Sequence, residues 1–469
     1  MGLHHEAVGV DADERMSGRF VSVDRDTPYL MPPSVQEWLP QNHLARFVVE
    51  IVERLDLGGM ATAYRGRGSD AFHPAMMVAL LFYGYATGVF SSRKLERATY
   101  DSVAFRYVAA NRHPDHDTIA HFRKRFLEEL STLFVQILQV AQQTGVLKVG
   151  QVSLDGTKVH ANASRHSALS WEHACKIEAQ LKAEVEELLR LAEQADGSDL
   201  PDGMSVPQEL ERREERLAAI ARAKAEIEAR AAERHAREKA AYEQKMAERE
   251  AKEKSSGKKP GGHAPSEPQA GPRPKDQVNL TDGDSRIMPT SGGGFEQAYN
   301  AQAAVDVDTM LIVAQHVSQN PNDKQEIEPA LDNLDAVTTV VGKAEALIAD
   351  SGYFSSHNVD ACHAHDVEPY IAAGRDAHYP PLAQRLKGPS PLADDAGAVD
   401  RMKHRLRTAD GRQVYAKRKC TVEPTFGIIK SVLGFRQFLL RGLAAVRHEW
   451  TLVCIGWNVK RLHRLRMAA

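Results

Sequence analysis

Two short apolar runs, QVSLD and ALIAD, each end in an aspartate, Asp155 and Asp350, and a long charged stretch separates them. Runs of that length between polar residues read as buried strands, so each acid stands at the end of a rigid element. The stretch between them cannot belong to the same sheet. WEHACKIEAQLKAEVEELLRLAEQAD puts Ile177, Leu181, Leu188 and Leu191 on one helical stripe. QELERREERLAAIARAKAEIEAR puts Leu210, Leu217, Ile220 and Ile227 on another, with Glu and Arg alternating elsewhere. The two predict an antiparallel helical hairpin whose far half, alanine and charge beyond Ile227, is free to fray. Residues 254–276, rich in Gly, Pro and Lys, form a flexible linker with no means of burying a core. Residues 166–285 therefore read as an insertion, hairpin plus linker, into a domain that resumes after it.

What resumes is a sheet pattern. FEQAYNAQAAVDVDTMLIVAQHVS reads as two strands turning at Asp308-Thr309. NPNDKQEIEPALDNLDAV reads as a helix capped by Asp323, with Glu326 completing a capping box. VEPYIAA gives a further strand, and residues 374–412 a long polar loop. From Lys417 the chain reads as helical, with Glu423 at the start of an amphipathic helix, Pro424 in its first turn and Gly434 at its end. Strand with Asp155, hairpin, helix, strand with Asp350, strand, helix with Glu423 is the order of an RNase H-like α/β fold. Adjacent central strands would bring the two aspartates together and the helix would supply the glutamate.

The expected division is a disordered tail over residues 1–24 and a helical region over 25–150. The α/β domain follows over 151–165 plus 286–440, and a basic C-terminal helix over 441–469. In the helical region, HPAMMVALLFYGYATGVF is apolar nearly all round, which predicts a buried central helix with Pro74 in its first turn. SSRKLERATYDSVAFRYVAA reads as one helix capped by Ser91 or Ser92. HPDHDTIAHFRKRFLEELSTLFVQILQVAQQ reads as one long amphipathic helix capped by Asp115 or Asp117. Arg123, Lys124 and Arg125 near its start suit either a helix-turn-helix-like DNA reader or the solvated face of an ordinary bundle.

Composition narrows the function. At 469 residues, two to four domains are expected. No run of eighteen apolar residues appears, so no membrane span is expected, and the first residues lack a secretory pattern. Four scattered cysteines without a CxxC pair suit a reducing cytoplasm and exclude a disulfide framework or zinc ribbon. The net charge of −3 hides an asymmetry: from Arg401 onward sixteen Lys or Arg face three acids, Asp410, Glu423 and Glu449. Interleaved with Phe426, Phe435, Phe438 and Trp450, these bases read as a folded surface for nucleic acid rather than a solvated tail. In the last helix, Val446, Trp450, Val453 and Trp457 form an apolar face beside Lys460, Arg461 and Arg464. Trp450 and Trp457 could stack on extruded bases, but their spacing favours core packing.

Three carboxylates at Asp155, Asp350 and Glu423 would make a hard, oxygen-only site suited to magnesium. Taken singly, such acids also serve as turn formers and helix caps. Asp306 could be a fourth, though a hairpin-turn role fits it better. Cys362, His363 and His365 lack the partner cluster of a zinc site.

The motifs NRHPDHDTIAHFRKRF, DGTKVHANAS, YNAQAAVD, PNDKQEI, ADSGYFS and VEPTFGIIK…GFRQFLLRGL together resemble a bacterial insertion-sequence transposase of the DDE type, close to the IS1182 group within the broader IS4/IS5-like superfamily. The resemblance spans roughly Tyr29 to Leu465. It implies that Asp155, Asp350 and Glu423 hold two Mg2+ or Mn2+ ions. It also implies that the helical region binds the element's terminal repeats, and that the chain acts as a homodimer on DNA. The expected activity is cleavage at the element's ends and joining of the 3′-hydroxyls to target DNA. A nuclease that does not join and a non-catalytic DNA-binding or assembly protein are the alternatives. Related transposases carry a Tyr, Arg, Glu, Lys signature, matched here by Tyr415, Arg418, Glu423 and Lys430. Lys419 fits the family's spacing better than Arg418, which leaves the basic position open between them.

Overall fold

The computed structural model describes residues 34–64, 71–194, 205–257, 261–290, 293–374, 391–393 and 396–468, so the tail over residues 1–24 lies outside the described residues. The fold is mixed α/β around a six-stranded sheet. Strand β1 (Gln151–His160) lies between antiparallel β5 (Phe295–Asp306) and parallel β7 (Ala346–Ala349). Strand β8 (Glu368–Ile371) extends the parallel side. On the other side β6 (Ile312–Ser318) and a short β4 (Arg286–Pro289) share the outer edge of β5, both antiparallel. Three antiparallel strands followed by two parallel ones is the order that the RNase H-like expectation requires. Sequence reading missed β4, whose four residues are too few to show a period.

The helical region runs through α1 (Leu44–Glu53), α2 (Gly58–Thr62), α3 (Pro74–Thr87), α4 (Ser92–Asp101), α5 (Val103–Val108), α6 (His116–Arg125) and α7 (Leu127–Gln143). Two stretches expected as single helices are each broken. Ser102 takes an extended conformation between α4 and α5. Phe126, at φ −113° and ψ 30°, separates α6 from α7 and turns its ring into the core against Phe122 and Tyr64. Asp115 caps α6, its carboxylate accepting from the Thr118 N–H at 2.8 Å. Among the described residues no single helix is long and apolar enough to cross a membrane, and the apolar α3 is instead buried continuously from Met77 to Ala86.

The stretch expected as an insertion holds α8 (Trp171–Gln194) and α9 (Val206–Ser256). The two run antiparallel, joined by ion pairs Glu178–Lys224 and Glu184–Arg213 over a small core of Leu181, Ile220, Ala223 and Ile227. The far half of α9 stays helical to Ser256, because the following chain runs back along it: Asp276 pairs with Arg234 at 2.8 Å and Arg273 with Glu238 at 3.0 Å. Within the stretch expected to be a flexible linker, Arg273 and Asp276 are therefore held by charge, which its Gly/Pro content concealed. Its ends meet where β2 (Ala168–Ser170) pairs with β3 (Gln277–Asn279).

Further on come α10 (Ile327–Val341) and α11 (Ser356–Ala364). The capping box expected before α10 does not form. Glu326 is buried, taking hydrogen bonds from His316, Ser318 and Asn320, and Asp323 turns away. The expected loop over 374–412 contains α12 (Ala398–Arg407), and α13 (Ala409–Ala416) follows. Met402 anchors α12 by burial, and Arg405 ties it to Glu368 and the Pro369 carbonyl. Helix α14 (Arg418–Gly427) starts where helix was expected, but it runs unbroken through Glu423, so Pro424 lies inside it rather than in a first turn. The ladder then widens to a π turn over Ile428–Val432, one of the usual consequences of a disrupted helical bond pattern.

The last helix, α15 (Leu443–Ala468), is buried at every position from Glu449 to Val459. It packs on α3 and α7 to one side and β6 to the other. Lys460 donates to the Ala86 carbonyl and Arg461 to that of Thr309, so these two bases fasten the helix. The Trp450 and Trp457 indoles donate to the Gln302 and Met310 carbonyls from inside the core, which settles against base stacking. One continuous hydrophobic core thus joins Val48, Leu80 and Leu138 of the helices to Leu154 and Val313 of the sheet through Val446 and Val453. Where α15 crosses α3, a side chain on Gly456 would lie 2.8 Å from the Tyr85 backbone. Gly456→Val should destabilise the chain by about 3 kcal/mol, because backbone cannot yield as a side chain does. Urea unfolding measures it, and an unchanged midpoint would contradict the shared core.

Candidate active site

Strand register brings the first two acids together. Ser153 of β1 pairs with Ile348 of β7 in parallel, so two residues further on Asp155 stands level with Asp350. Neighbouring strands lie about 4.8 Å apart and residues at equal register share a face. Helix α14 packs on β1 and brings Glu423 to the same place.

The three carboxylates converge on one guanidinium. Arg418 Nη2 lies 2.8 Å from Asp155 Oδ2 and 3.5 Å from Asp350 Oδ2, and Nη1 lies 2.7 Å from Glu423 Oε1. Two oxygens reached from one nitrogen at 2.8 and 3.5 Å are at most 6.3 Å apart, the sum of those distances. Asp155 Oδ1 accepts from the Gly156 N–H, and Asp350 Oδ1 caps the next turn through the Gly352 N–H. Burial pushes the Asp155 carboxyl up to about 6, although Arg418 and the Gly156 N–H both pull it down. One cation divided among three acids cannot compensate the burial of the innermost. Arg418 Nε is itself buried without a partner among the described residues. Burial works against its charge, but Asp155 and Asp350 hold the guanidinium more firmly protonated than usual.

The other expected contacts separate into groups. Lys430 lies within the π turn and donates to Thr157 Oγ1 at 3.0 Å and the Lys158 carbonyl at 3.1 Å, on β1 beside Asp155. Tyr415 is half-buried next to Arg418, and burial raises its phenol above the ordinary value. Lys419 is exposed, so Arg418 is the base turned toward the three acids. Arg123 is a correction: it is buried, donating to the Phe90 carbonyl and Tyr85 hydroxyl, and is closed to phosphate. Arg125 is exposed but held on the Ala63 carbonyl and over the Tyr64 ring, while Lys124 is exposed. Asp306 is spent in the hairpin turn on Thr309. Cys362 is buried and His365 pairs with Asp335.

A second polar cluster lies beside the acids, and sequence reading missed it. Asp323 Oδ1 accepts from Lys158 Nζ at 3.2 Å, Asn300 Nδ2 at 2.7 Å and Gln302 Nε2 at 2.9 Å. The Tyr353 hydroxyl, three residues after Asp350, donates to Gln302 Oε1. Asn300 and Gln302, fully buried in the YNAQAAVD strand, are the signal that could have revealed it. Gly156 is required next to Asp155, since a side chain there would meet Gln302 Nε2 at 2.1 Å.

Among the described residues no three His, Cys, Asp or Glu side chains stand close enough to hold a metal ion together. The Arg418 guanidinium spans the space between the three acids. The donors nonetheless fit a divalent cation by chemistry: hard carboxylate oxygens, already gathered round a positive charge.

Two families describe most of this chain. The one described as "Transposase DDE domain" matches residues 272–459, and the one described as "Transposase domain (DUF772)" matches residues 33–125. The first takes in Asp350, Glu423 and Arg418 and implies an RNase H-like sheet; the second takes in most of the helical region, and Asp155 on β1 falls between the two. No curated protein and no solved structure matches the chain. With both domains in one chain and acids gathered at the sheet's end, the chain belongs to the DDE transposases, in the combination typical of the IS1182 group.

Proposed function

We propose that the chain cleaves the ends of its insertion sequence and joins the freed 3′-hydroxyls to target DNA, with Asp155, Asp350 and Glu423 holding two Mg2+ or Mn2+ ions. The observation that carries this reading is the convergence of three acids, from β1, the end of β7 and α14, on one guanidinium. Bound there, divalent ions would supply Lewis-acid activation of the attacking and leaving oxygens of the phosphodiester. The residues do the rest. Asp155, the innermost acid, must be ionised to serve. Arg418 releases the carboxylates and pairs with a phosphate oxygen as a charge-assisted donor, and Lys430 grips a second oxygen from across β1. Tyr415 lines the same wall. Attack by water and then by a 3′-hydroxyl is direct displacement, so no nucleophile from the chain is needed.

The division into a DNA-binding helical region over residues 25–150, a catalytic domain over 151–165 plus 286–440, an inserted hairpin over 166–285 and a C-terminal helix over 441–469 is part of this proposal. So is action as a homodimer on DNA. Its support is the chain order, with the insertion's two ends meeting at β2 and β3. Lys124 is the base on α6 best placed to meet a phosphate. A strand-transfer assay with precut ends and Mg2+ tests the whole: joined product is expected. Cleavage of intact ends without joining would leave a nuclease, and metal-independent binding without cleavage would leave a DNA-binding protein.

A further inference from the structure

Asp323 has one oxygen fully engaged and the other idle. Oδ1 takes three donors, from Lys158, Asn300 and Gln302, whereas Oδ2 has no hydrogen-bond partner among the described residues. That idle oxygen faces the space over Gly352. The point where a side chain on Gly352 would begin is 2.9 Å from Asp350 Oδ1 and 3.8 Å from Asp323 Oδ2, so the two oxygens are at most 6.7 Å apart, the sum of those distances. A cation held by Asp350 on this side would lie within direct or water-mediated reach of Asp323. Glycine at 352 keeps that space open, and Gly156 makes room for the amides that hold Asp323.

We propose that Asp323 is a fourth acid of the site, sharing with Asp350 a divalent cation in the space over Gly352. The inference rests on the metal-dependent reading above. A carboxylate with one oxygen fixed by protein donors and the other presented outward is the ordinary make-up of a ligating acid, whose hydrogen-bonded partners set its direction. Here the partners are unusually well anchored. Asn300 and Gln302 are buried in the central β5, and Gln302 also accepts from Tyr353 on the Asp350 turn. The network therefore locks Asp323 to the strand of Asp155 and to the turn of Asp350 together. Lys158 offsets its charge when no cation is bound, as Arg418 does for the other three.

The test is Mn2+ binding to the full chain, followed by calorimetry and electron paramagnetic resonance, for wild type, Asp323→Asn and Asp155→Asn. Asp323→Asn should lose at least tenfold in affinity for the weaker-bound Mn2+ and need a correspondingly higher Mn2+ concentration for cleavage, with end binding unchanged. Unaltered Mn2+ binding in Asp323→Asn would overturn the inference. Should that variant fold poorly, Fe2+ substituted into the wild-type chain gives a second reading through oxidative backbone cleavage. Scission at 323 as well as at 350 is expected, and scission at 350 without 323 overturns the inference. If Asp155→Asn binds Mn2+ as wild type does, the metal-dependent reading itself fails, an outcome distinct from a failure at Asp323 alone.

Discussion

Replacing Asp155 by asparagine should abolish end cleavage and, in the metal-free chain at neutral pH, make the protein more stable. The loss of cleavage follows from the proposed role: an amide supplies no anionic oxygen, and a drop of at least about a thousandfold is expected, with binding to terminal-repeat DNA retained. Asp350→Asn and Glu423→Gln should lose cleavage in the same way. The gain in stability follows from burial. The Asp155 carboxyl is raised from 3.8 to about 6 in the folded chain, so the folded state holds that proton more tightly than the unfolded state. Its contribution to the unfolding free energy therefore falls as pH rises from about 4 to about 6 and stays low above that. A shift of roughly two units corresponds to about 3 kcal/mol. Urea unfolding in chelator at pH 4.5 and pH 7.5 should show the asparagine variant gaining most at the higher pH. Parallel curves for the two proteins across that range would refute the electrostatic account of the site.

Arg418→Gln should act in the opposite sense on the metal-free chain. Without the guanidinium, Asp155, Asp350 and Glu423 face one another with no shared cation, a loss of about 2–4 kcal/mol for carboxylates that are partly buried. Magnesium should then raise the melting temperature of the variant more than that of the wild type, since the ion no longer competes with an internal cation. Cleavage should still fall, because the phosphate loses its forked donor. Arg418→Lys keeps the charge but has one nitrogen where the guanidinium uses two to reach three acids, and should fall between Arg418→Gln and wild type. Equal magnesium-induced shifts in Arg418→Gln and wild type would show that Arg418 does not occupy the cation's place.

The three converging acids were legible because each ends a short apolar run or sits in a helix, and the order of those elements implies their meeting. Register then supplies what order could not, the level alignment of Asp155 with Asp350. Helix ends were less legible. Ser102 and Phe126 break helices whose periodicity continues through them, since burying particular rings outweighs local propensity. Asp323 was misread because its spacing to Glu326 satisfies a capping pattern, while both side chains find stronger partners across the fold. The basic residues misled in a similar way. A count of positive charge does not distinguish Arg123 or Lys460, which hydrogen-bond carbonyls inside the protein, from Lys419 or Lys124 on the surface. The choice between Arg418 and Lys419 needed the direction of a side chain, which spacing along a helix that later widens does not give.

The continuous core beneath the helices and the sheet has a mechanical consequence. With α15 embedded in both, no swivel separates the helices that would grasp DNA from the acids that would cut it. On the proposed function, the chain would work as a fixed gauge rather than a pair of jaws. The distance from gripped bases to severed phosphate would then be built into the fold, and an element whose end is displaced by one base pair, about 3.4 Å, would present the wrong bond.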